Sequence, residues 1–321
     1  MLFLDRLILS TANAWLYLCH FKLIREARRR HGWWPNVASP KRYSERMLWR
    51  KLVDRCPHYA VFCDKLLTKA YTQQRCPELP VPRTLWVGVD ADAIPSHLFD
   101  HDVMVKTSHA SSYNMRMTGG QADRQELKRQ MTDWMAETYG ETHGEWGYSQ
   151  VTPRLYVEQI VGTRAQPMVE FEIRVASGRV LFASMVGKNK TPQQWRVYLK
   201  LNGEIDAPVT NDKTVVAVVP EPVNFQEGFQ QALRHAAVIG EEIDYTRIDF
   251  FWDGEQLYAG EITMYPAAGI TEMVNPETNA LILSNWRLLD AGVFRLAHGW
   301  PARAYFGALR RTLEREERKR G

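Results

Sequence analysis

Apolar and polar positions recur with two different periods along this chain, and the change of period divides it. Over residues 1–30 and 44–75 apolar residues return at three- and four-residue spacing, as Met47, Leu48, Leu52 and Val53 do, which predicts helices. Pro77, Pro80 and Pro82 close that region. Beyond them, short apolar runs predict strands at 84–89, 103–107, 155–161, 169–176, 180–186 and 214–219. Helices are expected at 123–138, 225–242, 276–289 and, highly charged, 302–320. Ser177-Gly178 reads as the tight turn of one hairpin, and 247–263 reads as a second hairpin. Strand–helix–strand units are few, so the fold class is α+β with mostly antiparallel sheets. The boundaries this suggests are an N-terminal helical region at 1–82, one lobe at 83–161, a second at 162–300 carrying the hairpin, and a C-terminal helix at 301–321.

Composition narrows the class without naming it. With 321 residues, 45% hydrophobic and 24% charged, the chain can build a sizeable core, which excludes pervasive disorder and a polytopic membrane protein. The net charge of +4 conceals an asymmetry: residues 1–55 carry +8, residues 303–321 carry +4, and the body between them carries −8. Cys19, Cys56, Cys63 and Cys76 form no C-x-x-C pair, so free thiols in a reducing compartment are expected rather than a zinc site. At the N-terminus, only residues 7–19 are free of charge and histidine, short of the roughly 20 residues a spanning helix needs. Asp5 and the brief apolar run also argue against a signal peptide. A cytoplasmic protein is expected. Its helix 1–30, ending in Arg25, Arg28, Arg29 and Arg30, either packs on the domain or lies on an anionic membrane surface. The basic ends contain no nucleic-acid recognition motif, so no nucleic-acid partner is expected.

Three segments carry chemistry. In the hairpin, Arg247, Asp249 and Glu261 interrupt otherwise apolar strands. A two-residue Asp253-Gly254 turn would put the two carboxylates on opposite faces. A three-residue loop, Trp252-Asp253-Gly254, would pair Phe251 with Glu255 and bring Arg247, Asp249, Glu261 and Thr263 to one face. Carboxylates on adjacent strands suit Mg²⁺; a solvent-facing stripe with a salt bridge would show the same pattern. In the second segment, Lys106 ends a strand and opens the hydroxyl-rich loop Thr107-Ser-His-Ala-Ser-Ser-Tyr113, whose N–H groups can face phosphate oxygens. An ordinary turn uses the same residues. In the third, Val157-Glu158-Gln159-Ile160-Val161 can offer main-chain groups and one carboxylate to a base edge, or merely expose a glutamate.

Taken in order, these segments resemble the ATP-grasp superfamily, and within it the TupA-like branch associated with teichuronopeptide and bacterial surface-polysaccharide biosynthesis. The resemblance extends over roughly residues 30–290. It includes His31-Gly32, Pro35-Asn36, Ser39-Pro-Lys-Arg-Tyr-Ser-Glu-Arg-Met-Leu-Trp-Arg-Lys-Leu52, Asp64-Lys65, Thr84-Leu-Trp-Val-Gly88 and Gly260-Glu-Ile-Thr-Met-Tyr-Pro266. Ala110 and Ser112 stand where relatives often have glycine, and Thr263 stands where most ATP-grasp enzymes have asparagine.

The resemblance implies an ATP-grasp fold holding ATP and Mg²⁺ between two α+β lobes, and a carboxylate–amine ligase working through an acyl phosphate. It assigns Asp249, Glu261 and Thr263 to the metal. Lys106, His109, Ser111 and Ser112 go to the phosphates, and Glu158, Gln159, Ile160 and Val161 to adenine. Arg247 goes to the transferred phosphoryl group. Glu172 and Arg174 are the candidates for the ribose contact and the substrate-side cation. The expected partners are a small-molecule or glycan carboxylate and an amine. A phosphotransferase acting on a sugar hydroxyl, and a non-catalytic module of a polysaccharide-assembly complex, are the competing functions.

Overall fold

The computed structural model describes residues 2–120, 123–162, 168–188, 191–210, 212–220, 223–269 and 273–319. Two antiparallel sheets organise it. The smaller contains β1 (Thr84–Gly88), β2 (Val103–Thr107), β3 (Asn114–Met117) and β4 (Leu155–Gln159), in the order β1-β4-β2-β3. Its alternating inward residues Val103, Val105 and Val157 close a core against Leu127 and Met131 of α5 (Arg124–Ala136).

The larger sheet contains β5 (Val169–Ala176), β6 (Arg179–Gly187), β7 (Trp195–Leu199), β8 (Ile205–Asp206), β9 (Thr246–Trp252) and β10 (Leu257–Thr263), in the order β10-β9-β5-β6-β7-β8. Phe171, Ile173, Val197, Ile248 and Phe250 line one face, under Phe229, Ala232 and Ala236 of α8 (Gln226–Ile239). The same core reaches α3 (His58–Cys63) and α4 (Lys65–Arg75) through Tyr59, Phe62 and Cys63. The opposite face carries charged residues, and Glu170, Glu172 and Asp249 among them are buried. That arrangement is stable only where every charge has a partner.

A third core joins the two ends of the chain. α1 (Leu2–His31), α2 (Tyr43–Leu52), α9 (Pro276–Asn285) and α10 (Ala302–Glu317) contribute Leu9, Ile24, Met47, Trp49, Ile282 and Leu309 to it. The motif Trp49-Arg50-Lys51 is fully employed here. Arg50, with no exposure, donates to Asp244 at 2.7 Å and to the Tyr245 carbonyl at 2.7 Å, and lies 4.6 Å from the Trp286 ring centroid. Lys51 donates to the Ala268 carbonyl at 2.9 Å, supporting a segment in which Ala267 and Ala268 both have positive φ.

Several expectations change. The run 214–219 is no strand; only a bridge between Arg196 and Val215 forms there. β3, β7 and β8 went unforeseen: Asn114 and Arg116 break the apolar run of β3, Arg196 interrupts β7, and β8 is only Ile205–Asp206. The charged C-terminal helix is not merely solvated: Phe306, Ala308 and Leu309 are buried, and Arg311 and Arg315 pair with Asp5 of α1. All four cysteines are free; Cys56, Cys63 and Cys76 are buried as expected, but Cys19, on the outer side of α1, is exposed.

Candidate active site

The hairpin reaches its predicted facing by a different route. Phe251 pairs with Tyr258, not with Glu255, across the four-residue turn Asp253–Gly254–Glu255–Gln256. That register alone would send Glu261 to the wrong face. Between the pairs Phe250–Ala259 and Ile248–Ile262 the register slips, so that Asp249 opposes both Gly260 and Glu261. This bulge restores the parity. A Cβ on Gly260 would lie 2.6 Å from the Asp249 carbonyl oxygen, so the bulge requires glycine.

Arg247, Asp249, Glu261 and Thr263 consequently share the polar face. Arg247 grips Asp249 with two parallel hydrogen bonds, Nε to Oδ1 at 2.7 Å and Nη2 to Oδ2 at 2.6 Å, and its Nη2 reaches Thr263 Oγ1 at 3.2 Å. Burial pushes the Asp249 carboxyl up to about 6; Arg247 opposes the rise, while Glu172 and Glu261 add to it. Glu261 receives the Tyr148 hydroxyl at 3.4 Å and lies 3.4 Å from Lys65 Nζ. Two carboxylates on one rigid face, with Glu261 raising the proton affinity of Asp249, form a hard-oxygen donor set, and that set fits Mg²⁺.

The polar row continues across the sheet. Glu172, opposite Asp249 in the register, receives both Arg196 Nη atoms and the Ser184 hydroxyl at 3.1 Å. Arg174 and Arg247 approach it at 3.6 Å each. Burial would raise this carboxyl, but Arg247, Arg196 and Arg174 hold it well below the usual range. Glu172 is therefore an anchoring anion for three arginines, and its oxygens are engaged there rather than offered to a ribose. Beside it opens a cavity of about 440 Å³, lined among others by Arg30, Arg174, Arg196, Thr210 and Arg247. The Nε and Nη1 atoms of Arg174 are buried without a hydrogen bond.

The smaller sheet supplies the other half. Lys106 and Glu158 form an ion pair across β2 and β4, and Lys69 from α4 donates to Glu158 at 2.7 Å and to Thr84 Oγ1 at 3.0 Å. Burial would raise the Glu158 carboxyl, but Lys106 and Lys69 keep it below its ordinary value. The lysine and glutamate read separately in the sequence are thus one unit, and Lys69 is its unforeseen third member. Lys65, at the start of α4, lies 3.4 Å from Glu261 and bonds through its N–H to the Ser108 carbonyl of the loop after Lys106, so the two halves meet there.

The loop after Lys106 is stitched to α4: Lys65 N–H donates to the Ser108 carbonyl at 3.1 Å, and Arg154 reaches Asp64 at 2.9 Å. Within it, Ser112 is exposed with φ of 65°, the conformation a glycine would adopt without strain. Ser111 hydrogen-bonds Tyr139. His109 is turned inward, its Nε2 3.1 Å from the Trp134 carbonyl, and burial lowers its pKa, so it is a neutral packing group. Gln159 donates its N–H to Arg83, and Ile160 and Val161 follow, half-buried, at the end of β4. Elsewhere, Cys76, Glu78 and His235 place their ligand atoms within 4.8 Å of one another, a grouping the cysteine spacing did not suggest.

No curated protein sequence matches the chain. Among solved structures it is similar to the ATP-grasp ligase PsnB complexed with minimal precursor, Mg and ADP, at 17% identity over 71% of this chain and 60% of that one, with a TM-score of 0.36. It is also similar to D-alanine–D-alanine ligase from Helicobacter pylori, at 14% identity over 70% and 61%, with a TM-score of 0.43. A third similarity is to L-amino acid ligase from Bacillus licheniformis, at 13% identity over 70% and 50%, with a TM-score of 0.41. The chain spans less than two thirds of the length of each of these three proteins. The family model for TupA-like ATPgrasp matches residues 45–285, from within α2 to the end of α9, and the chain belongs to that family.

Proposed function

We propose that this protein is an ATP-dependent carboxylate–amine ligase that activates an acid as its acyl phosphate, acting on a bacterial cell-surface polysaccharide or its precursor. The observation that carries the reading is the arginine-lined cavity directly beside Asp249 on one sheet face. An acid needs cations to hold it and a neighbouring phosphoryl donor to attack. A sugar hydroxyl needs no cluster of guanidinium groups, so the lining favours the ligase over a phosphotransferase.

In this reading Asp249 and Glu261, with Thr263 beside them, hold Mg²⁺, which neutralises phosphate oxygens when bound. Arg247, now closed on Asp249, is released toward the transferred phosphoryl group. Lys106 and Lys69 meet the nucleotide phosphates, with Glu158 fixing both. The end of β4, from Gln159 to Val161, borders adenine. Arg174 and Arg196 hold the acid so that one carboxylate oxygen faces the γ-phosphate. The amine then attacks the acyl carbon of the acyl phosphate, the C–O bond to phosphate breaks, inorganic phosphate leaves, and an amide forms.

The test is ADP release in the presence of candidate acids and amines. Release is expected only when both are present, and Asp249→Ala or Glu261→Ala lowers it by about 10²–10³-fold. Turnover with a sugar alone would overturn the ligase reading.

A further inference from the structure

The first helix carries apolar residues on both sides: Leu9, Ile24 and Ala27 are buried in the core it shares with α10. Its inner side is fastened by polar groups: Asp5 pairs with Arg311 and Arg315 of α10, Asn13 accepts the Val37 and Ala38 N–H groups at 2.9 and 3.1 Å, and Tyr17 donates to the Pro35 carbonyl at 2.8 Å. Its outer side carries Phe3, Leu7, Trp15, Leu18 and Phe21, all more than half exposed, with Phe3 at 82% and Leu18 at 79%. A helix that only packs on a domain buries its apolar residues and exposes its polar ones.

Charge is also arranged along the helix. Up to the break in helical geometry at His20 the exposed face holds one charge, Arg6; beyond it come Lys22, Arg25, Arg28 and Arg29, all exposed. The only acidic residues of the helix, Asp5 and Glu26, are both tied to arginines. Alongside α1, a groove of about 500 Å³ between it and α10 is lined by Lys41, Arg315 and Lys319, of which Lys41 pairs with Glu316 and Arg315 with Asp5.

We propose that α1 is an interfacial anchor that lays its outer apolar face into an anionic phospholipid bilayer, with the basic segment after His20 on the headgroups. By length and apolar content the helix would suffice to cross a membrane. Crossing is excluded by its partner: α10, with Arg303, Arg310, Arg311 and Arg315, lies along it and would have to enter the hydrocarbon too. An apolar face with basic residues on the same exposed side matches an anionic interface. A second copy of this chain packed with its α1 parallel would instead bring the two basic segments together.

The test is flotation of the full-length protein with vesicles of phosphatidylcholine and phosphatidylglycerol at 7:3, against phosphatidylcholine alone. Binding is expected to the anionic vesicles and to weaken in high salt. The double variant Leu18→Glu/Phe21→Glu, and separately Lys22→Glu/Arg25→Glu/Arg29→Glu, should each lower it by about tenfold or more. These positions are exposed, so unchanged thermal melting establishes that the fold is intact. Failure of the wild-type protein to float, equal flotation by the variants, or a wild-type dimer that Leu18→Glu/Phe21→Glu converts to monomer without any vesicle binding would each overturn the proposal.

Discussion

Gly260 decides where Glu261 points. Any side chain there meets the Asp249 carbonyl, so the bulge must open or the strand must slip. Gly260→Ala should destabilise the protein by about 1–3 kcal/mol, the range typical of overpacking, and abolish stabilisation by ADP·Mg²⁺. Denaturation and thermal shift measure the two effects separately; loss of stability with an intact nucleotide response would show that the bulge does not orient Glu261. Ser112 is the opposite case, a non-glycine in a glycine conformation. Relief of a left-handed strain of roughly 1–2 kcal/mol, less the chain entropy glycine adds, should leave Ser112→Gly more stable by up to about 1 kcal/mol. Ser112→Val should be less stable than wild type. Equal melting of the three proteins would refute strain at this residue.

At the scale of elements, the junction between α2 and α3 makes stability depend on pH. Asp54 is fully buried and accepts the Tyr59 hydroxyl. Burial pushes its carboxyl up to about 7, helped by the nearby Asp244 and opposed by Tyr59 and Arg50. The folded value lies above the unfolded one of about 3.9, so between those values the native state binds the extra proton. Stability from this group therefore falls as pH rises from about 4 to 7, and the penalty is complete above 7. Asp54→Asn should be more stable than wild type at pH 8, by about 1–3 kcal/mol, with the gap closing toward pH 4. Urea titrations at both ends of that range test it; a gap independent of pH would contradict it.

The elements themselves were largely legible, because β2 and α5 each bury one periodic face that the sequence displays, and β5, though buried on both faces, alternates Val169, Phe171, Ile173 and Val175 with charged residues. The hairpin was legible in outcome and not in cause: strand parity can be counted, but a bulge depends on which glycine the partner strand crowds. Arg196, Lys69 and the inward turn of His109 left no local signal, since each is defined by a strand or helix remote in sequence. The basic termini were visible as charge, yet nothing in a charge count could reveal that Asp5 binds α10. Deleting residues 1–24 would therefore strip packing from α10 as well as any docking face, and substitutions on the outer side of α1 are the cleaner probe.

For the whole molecule, one helix connects two tasks. The outer face of α1 is its proposed docking surface, whereas Arg30, in its last turn, lines the arginine-rich cavity. In the proposed function the −8 body receives polyanionic nucleotide through a few placed cations, and the positive charge at the termini lies where docking is proposed. If the tasks are energetically separate, altering one face leaves the other's ligand response untouched. A ligand at 100 times its dissociation constant stabilises a protein by about 2.7 kcal/mol, which is several degrees of melting temperature for a chain of this size. Saturating ADP·Mg²⁺ should therefore raise the wild-type melting temperature by several degrees, and the Leu18→Glu/Phe21→Glu variant by the same amount. Lys106→Ala and Glu261→Gln should lose most of the rise, because each removes a group assigned to the phosphates or the metal. A smaller rise in the α1 variant would mean that the helix transmits its state to the cavity through Arg30. Anionic vesicles and nucleotide would then change each other's affinity for the wild-type protein by the same factor.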